Sequence, residues 1–283
     1  MLATQNKHRL AIVGFGDLGS RLMARLDPCH YELAVFKRSR VELPFPGAVC
    51  FEADTVSGRG LEALVGYQPD TLIVTLTPSE PSLQGYAMGY AQAADQIAKR
   101  VRECSSKPRV IYVGSTRVYA ERMGGWVTER SALDRDDDYT RLLLEAEDII
   151  RELPLQTTIL RPAGLYSGPS RFYLSRLQRG FKSPSEPSVY TNRIHRDDVA
   201  AFMHYLMETN QAWAATYNLS DGNPLAKHEI EALAAAHFGL DIAKLSTEPF
   251  AAPLSHKRIA NELMLSTGFE LAYPDVRRAY LAT

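Results

Sequence analysis

The chain has 283 residues, 45% hydrophobic and 23% charged, with a formal net charge of −1. That length suffices for one large α/β unit or a nucleotide domain with a smaller companion, and the charge leaves no global field to recruit nucleic acid or an anionic membrane. The N-terminus, MLATQNKHRLAIVG, lacks the apolar run and cleavage site of a secretory signal, and no stretch approaches ~18 uninterrupted apolar residues, so a cytoplasmic protein is expected. Cys29, Cys50 and Cys104 lie far apart with no CxxC pair, a pattern that fits reduced structural thiols and speaks against a disulfide framework or a metal site.

The segment Leu10 to Leu26, LAIVGFGDLGSRLMARL, runs an apolar strand into GxGxxG and then into an amphipathic helix. Gly14 allows a tight turn, Gly16 lets the backbone approach a pyrophosphate, and Gly19 lets the helix pack close to the strand. Asp17 and Leu18 open that helix, whose N–H groups are the expected seat of the pyrophosphate. The strand LAIV and the helical stripe Leu18, Leu22, Met23 and Leu26 raise the motif above an isolated glycine pattern.

Next come the strand-like runs YELAVF, AVCFEAD, DTLIVTL, RVIYVGS and LQTTILRP, separated by polar or helical segments. The rhythm is that of repeated βαβ units, and it predicts a Rossmann-type, doubly wound parallel sheet with helices on both faces. An acidic residue to hold a ribose 2′-hydroxyl is missing beyond the second strand, where Lys37, Arg38, Ser39 and Arg40 stand instead. This cluster suits a 2′-phosphate and favours NADP, with NAD as the alternative. Asp54, at the end of the third strand, is a candidate for the adenine amino group or a plain turn residue, and Thr75 closes the fourth strand on the cofactor side. Long helices are expected over Ala87 to Arg102, rich in Ala and Gly, and over Arg141 to Leu153; the run Asp134 to Asp138 reads as a solvated loop before the second.

After Arg161 and Pro162 the rhythm ends. Short strands are expected near Val189 to His195 and Thr216 to Leu219, and helices over Asp198 to Glu208, Leu225 to Phe238, His256 to Thr267 and from Pro274 onward. The expected division is a dinucleotide-binding domain over residues 1–164 and a smaller substrate-side lobe over 165–283, some segments of which return to the core. That lobe is expected at the carboxyl edge of the sheet, where open α/β sheets bind ligands.

The run VGSTRVYA and the later DDDYTRLLLEAEDII bring a serine to a strand end and a tyrosine to a helix start. Here the chain resembles the extended and atypical short-chain dehydrogenases/reductases, the NAD(P)-dependent epimerase/dehydratase family. Ser115, Thr116, Val118 and Tyr119 resemble the segment SSTSVYG. Leu160 to Tyr166 resembles LRPxxxYGP, Ile194 to Ala200 resembles IHVDDVA, and KRIANELMLSTGFELAYP resembles the family's last helix and loop.

The resemblance implies that a tyrosine acts as general acid or base, that a serine polarises the same substrate oxygen, and that a lysine four residues after the tyrosine activates it. The chemistry explains the spacing, since a tyrosine of ordinary pKa, about 10, is a poor base at neutral pH. Aligned on YxxxKLxAE, Tyr139 takes the place of the tyrosine and Leu143 that of the lysine, and leucine neither donates a hydrogen bond nor carries charge. Three readings stand. In one, Tyr139 is a helix-start aromatic in a cofactor-binding protein without turnover. In another, Arg141 or the nicotinamide ring supplies the missing charge, although on a regular helix Arg141 points away from Tyr139. In the third, Ser115 and Tyr119 serve a reduction by NADPH. Arg161, Arg171 and Arg193 are candidates for an anionic substrate group or for ion pairs; His195 is a candidate proton shuttle or a structural histidine, and Asp197 or Asp198 a helix cap. The expected function is an NADP-dependent oxidoreductase, related to epimerases and dehydratases, acting as monomer or homodimer on a small polar or sugar-like substrate. The alternative is a non-catalytic NADP(H)-binding redox sensor acting through a protein partner.

Overall fold

The computed structural model describes residues 6–209, 211–249 and 256–281. The first residues of the N-terminal segment, Met1 to Gln5, and the last two of the expected C-terminal helix lie outside the described residues. Seven strands form the central sheet: β1 (His8–Val13), β2 (Tyr31–Lys37), β3 (Val49–Glu52), β4 (Thr71–Thr75), β5 (Arg109–Val113), β6 (Thr157–Pro162) and β7 (Thr216–Leu219). Their order is β7-β6-β5-β4-β1-β2-β3, and the pairings β2–β3, β1–β2, β1–β4, β4–β5 and β5–β6 are all parallel. This is the doubly wound Rossmann arrangement that the alternation of strands and helices predicts.

The sequence explains the sheet's depth. Leu10, Ala11, Ile12 and Val13 of β1 and Leu72, Ile73 and Val74 of β4 are fully buried, so these strands are apolar on both faces. In register, Val13 stands opposite Phe36 of β2 and Val74 of β4. The carboxyl ends of the three strands are therefore level, and the glycine turn leaves β1 between Lys37 and Thr75. Between β1 and β4 the strand order reverses, the crevice in which this class of sheet takes its ligand.

Two compact units divide the chain. Met1–Val118, Asp134–Arg161 and Ala200–Tyr217 make the first; Tyr119–Leu133, Pro162–Val199 and Asn218–Thr283 make the second. The first contains α1 (Asp17–Met23), α2 (Ala63–Tyr67), a continuous helix α3 and α4 (Asp138–Arg151). α3 starts at Leu83–Tyr86, widens to a π-helical turn over Ala87–Gln92 and continues as Ala93–Glu103. Its small residues have neighbours within the chain. A Cβ on Gly89 would lie 2.7 Å from Pro78 Cα, and one on Gly85 2.3 Å from the Glu80 carbonyl, so both glycines let α3 lie on the loop that follows β4. Ala93, Ala94, Ile97 and Ala98 pack into one core with Ala146 and Ile150 of α4.

α4 begins three residues before the expected Arg141, because the acidic run is more than a solvated loop. Asp137 accepts the N–H of Thr140 at 2.8 Å and caps the helix. In the second unit, α5 (Arg171–Gln178) and α7 (Lys227–His237) share a core with Tyr166, Val276 and Tyr280. Between them in the chain, α6 is Arg196–Glu208. The expected helix His256 to Thr267 is corrected: Arg258–Ile259 pairs in parallel with Trp126–Val127, and only α8 (Glu262–Leu265) is helical. The backbone around Ile259 is held extended because Ile259 N–H donates to Asn192 Oδ1 at 2.8 Å. The last helix, α9, is the short Arg278–Leu281 rather than a helix from Pro274.

Candidate functional site

The three glycines of the turn do three different jobs. Gly14 has φ +83°, and a Cβ there would fall 2.0 Å from the Thr75 carbonyl oxygen, so the first glycine is dictated by the close passage of β1 and β4. Thr75 completes that junction by donating its hydroxyl to Gly14 O at 2.6 Å. A Cβ on Gly19 would meet Phe15 Cδ2 at 2.8 Å, so the third glycine serves packing of α1 against the turn. Gly16 differs from both. Its φ is −124° and its ψ −147°, off the regular α and β conformations but not left-handed, and a Cβ would meet nothing nearer than Gly14 O at 3.9 Å. Among the described residues no atom occupies the place of its Cβ, and the space it keeps clear is where a pyrophosphate needs the backbone bare. The residues therefore fit a dinucleotide.

Around the turn, Asp17 is exposed and paired with Arg21 at 3.1 Å, while Leu18 is half-buried. Arg38 and Arg40 are exposed beyond β2 with no ion pair, and Lys37 is half-buried at the strand's end. Asp54 is engaged within its own loop, accepting from Val56 N–H at 3.0 Å and from the Ser57 hydroxyl at 3.0 Å. Burial pushes its carboxyl up, but these hydrogen bonds outweigh that and hold it below the ordinary carboxylate range.

At the end of β5, Gly114 leads into Ser115 and a tight turn over Thr116–Val118. Ser115 Oγ accepts the N–H of Arg117 at 3.1 Å, which fixes the oxygen and leaves the hydroxyl proton to donate elsewhere. Tyr139 stands half-buried in the first turn of α4, its ring edge-on to Tyr86 with centroids 4.9 Å apart. The Arg117 guanidinium lies over the Tyr139 ring at 5.2 Å and over Tyr86 at 5.9 Å. Leu143 is buried in the core. Arg141 does not replace the family lysine: its guanidinium bonds Asp138 at 2.6 Å. The cation beside Tyr139 is Arg117, which sequence reasoning passed over although an arginine stands where SSTSVYG has a serine.

Arg161 is no ligand-facing arginine. It is 2% exposed and forms a two-pronged pair with Glu147, Nε to Oε1 at 3.0 Å and an outer nitrogen to Oε2 at 2.6 Å; Arg151 adds a third contact at 3.2 Å. A Cβ on Gly114 would fall 2.8 Å from Glu147 Oε1, so the glycine before Ser115 admits this carboxylate beneath the strand end. The expectation that Arg161 holds cofactor or substrate is thus corrected to a buried structural pair.

The second unit holds the remaining candidates. Tyr119 is buried and donates its hydroxyl to Asn218 Oδ1 at 2.6 Å; Lys257, also buried, donates to the Tyr119 carbonyl at 2.6 Å. This makes Tyr119 an internal strut rather than a proton donor. His195 is buried, stacked on Tyr273 with centroids 3.7 Å apart and edge-on to Tyr166, and its Nδ1 accepts the Asp197 N–H at 3.2 Å. Asp198 accepts the N–H groups of Ala272 and Tyr273 at 2.9 and 3.0 Å, tethering the C-terminal loop. The Arg193 guanidinium donates to the Tyr173 hydroxyl and passes close to Gly164, which lacks the Cβ that would block it, while its Nε is buried without a partner. Arg171 is exposed at the start of α5. Arg258 donates to Gly124 O at 2.8 Å and lies over Trp126 and Tyr190. Among the described residues, no group of three or more His, Cys, Asp or Glu side chains is arranged to hold a metal ion, and no helix is long and apolar enough to cross a membrane.

Sheet order and glycine turn together define a Rossmann-type dinucleotide-binding protein of the epimerase/dehydratase-like, short-chain-dehydrogenase kind. At the level of sequence, a profile described as NAD(P)H-binding matches residues 14–210, and the chain belongs to that family. Among solved structures, a candidate NAD-dependent epimerase/dehydratase from Methylobacillus flagellatus is 26% identical, with 97% of each chain covered and a TM-score of 0.76. The Bordetella bronchiseptica enzyme WbmG, solved with NAD and UDP, is 17% identical over 98% of this chain and 94% of its own, with a TM-score of 0.78. The UDP-Glc/GlcNAc 4-epimerase of Campylobacter jejuni is 15% identical over 96% and 97%, with a TM-score of 0.78. No functionally curated protein matches the sequence significantly.

Proposed function

We propose that the protein is an NADP(H)-dependent oxidoreductase that reduces a carbonyl group on a small polar substrate. The observation that carries this reading is Gly16, a glycine that no protein contact requires, in the turn of a fold that binds NAD in its relatives. Gly14, Gly16 and Gly19 would hold the pyrophosphate side, and the half-buried Lys37 with the exposed Arg38 and Arg40 would meet the 2′-phosphate that distinguishes NADP. When bound, the nicotinamide supplies the hydride. Ser115 then hydrogen-bonds the carbonyl oxygen through its free proton, and Tyr139, whose hydroxyl has no partner among the described residues, gives that oxygen a proton. Asp54 is a turn residue in this reading. Arg193, Arg171 and His195 keep their reading as candidates for an anionic substrate group or a proton shuttle.

Fluorescence titration with NADPH and NADH tests the cofactor choice: tighter binding of NADPH is expected, with the advantage lost in Arg38→Ala. Equal affinities would overturn the NADP assignment. Turnover with a panel of carbonyl compounds, abolished in Ser115→Ala, tests the chemistry. Distinct affinities for NADPH and NADP⁺ with no turnover across the panel would instead identify a redox sensor, the reading to which the buried Leu143 lends support.

A further inference from the structure

A guanidinium on the face of an aromatic ring keeps its in-plane N–H donors for another acceptor, which makes a stacked arginine a good seat for a planar anion. Arg117 is placed in this way. The turn after Ser115 delivers its side chain over two rings, Tyr139 and Tyr86, which brace one another edge to face at 87°. The acid nearest to it is Asp137, with one oxygen 3.5 Å from one nitrogen, at the outer limit of a hydrogen bond. That same oxygen already accepts the Thr140 N–H at 2.8 Å as the cap of α4. Its side chain is 38% exposed. A five-donor cation therefore stands beside the candidate proton donor with one long, shared contact, at a position where the family pattern SSTSVYG carries a neutral serine.

We propose that Arg117 binds the carboxylate of the substrate, and that the substrate is a 2-oxo or 3-oxo acid, with the carboxylate one or two carbons from the carbonyl. The inference rests on the oxidoreductase reading above and narrows it. Closeness follows from the chain itself. The Arg117 backbone N–H is bonded to Ser115 Oγ, and its guanidinium carbon lies 5.2 Å from the centroid of the Tyr139 ring, so the cation and the candidate proton donor share one side of the turn and a short substrate can span them. In the reaction the carbonyl carbon gains a C–H bond from the hydride of NADPH while the π pair moves to oxygen. That oxygen takes the Tyr139 proton, giving the hydroxy acid and NADP⁺, and water restores the phenol. The carboxylate–guanidinium pair orients the carbonyl against Ser115 and does not change.

Calorimetric titration of the full chain with oxamate, an unreactive 2-oxo acid mimic, is the test, with neutral oxamide as control and with and without saturating NADPH. Wild-type protein is expected to bind oxamate at least tenfold more tightly than oxamide. Arg117→Gln should lose that preference while keeping its NADPH affinity, and Arg117→Lys, which keeps the charge without the fork, should recover part of it. Equal binding of oxamate and oxamide, or an unchanged preference in Arg117→Gln, would overturn the assignment. So would tighter binding of inorganic phosphate than of oxamate, which would mark a phosphorylated substrate. Because the cofactor-free arm reads Arg117 alone, a protein that prefers oxamate but binds no NADPH, or that binds both and oxidises no NADPH with 2-oxo or 3-oxo acids, would refute the oxidoreductase reading and leave the carboxylate site standing.

Discussion

Alanine at Gly14 and at Gly16 should have opposite consequences, although the two residues are separated by a single phenylalanine. At Gly14 an alanine must adopt φ +83° and place its Cβ 2.0 Å from the Thr75 carbonyl. The left-handed backbone alone costs about 1–2 kcal/mol. Relieving the overlap by parting β1 from β4 adds about 1–3 kcal/mol of overpacking strain. A loss of roughly 2–5 kcal/mol follows, and at about 2–4 °C per kcal/mol it is readily seen in thermal unfolding. At Gly16 the added methyl meets no protein atom within 3.8 Å, since its nearest neighbour is Gly14 O at 3.9 Å. The reduced freedom of the unfolded chain, about 0.4–1 kcal/mol, works against the strain of ψ −147°, so that variant should stay within about 1 kcal/mol of wild type. The distinction appears on adding NADPH. At a concentration of about one hundred times the dissociation constant, a ligand stabilises the native state by about 2.7 kcal/mol, and a hundredfold loss of affinity cuts this to about 0.4 kcal/mol. Thermal unfolding of the three proteins with and without NADPH is therefore enough. Gly14→Ala should melt early, whereas Gly16→Ala should melt normally and gain almost nothing from NADPH. If Gly16→Ala kept the full NADPH-induced shift, the assignment of that clear space to the pyrophosphate would be wrong.

Glu147→Gln should leave the buried Arg161 guanidinium without its counter-charge and lower stability by about 3–5 kcal/mol, measured by denaturant unfolding; a change below about 1 kcal/mol would refute a structural pair. Tyr119→Phe removes one buried hydrogen bond and should cost about 1 kcal/mol with turnover retained, while Tyr139→Phe should abolish turnover with stability retained; the reverse pattern would exchange their roles. Asp221 gives a dependence on pH. Burial, partly offset by the N–H groups of Asn223 and Val276, pushes its carboxyl from 3.8 up to about 7. Between those values the folded chain holds a proton that the unfolded chain has lost, so this group's contribution to stability falls as pH rises from about 4 to about 7 and is level above. Asp221→Asn should remove that downward component from the stability curve. Identical pH slopes for variant and wild type would show that the carboxyl titrates normally.

What the sequence made legible was whatever depends on neighbours a few residues away. The apolar runs of β1, β4 and β5 and the glycine turn are local patterns, and they led directly to the doubly wound parallel sheet. The helix start at Asp138 was misplaced because an acidic run looks like a solvated loop until one of its members, Asp137, is seen accepting an N–H. The roles of Arg161 and Tyr119 depended on distant partners. Glu147 is fourteen positions from Arg161 and Asn218 ninety-nine from Tyr119, and no pattern in the chain announces either pairing. Arg258 and Ile259 have helix-compatible neighbours in sequence, yet the bond to Asn192 and the pairing with Trp126–Val127 draw them into an extended segment.

Leu143 at the position aligned with the family lysine was legible, but the cation that stands over the Tyr139 ring, Arg117, was not. Arg117 arrives from the turn after β5, on the ring face, and is braced by Tyr86. Its hydrogen-bonding edge makes one 3.5 Å contact to Asp137, and Leu143 is buried in the core. Epimerases that oxidise a sugar hydroxyl and reduce it again need a base as much as an acid at the tyrosine. A site that spends its positive charge on holding an anion has given up the first half of that cycle, and what it retains is suited to the second, the delivery of a hydride and a proton to a carbonyl that a carboxylate has brought into place.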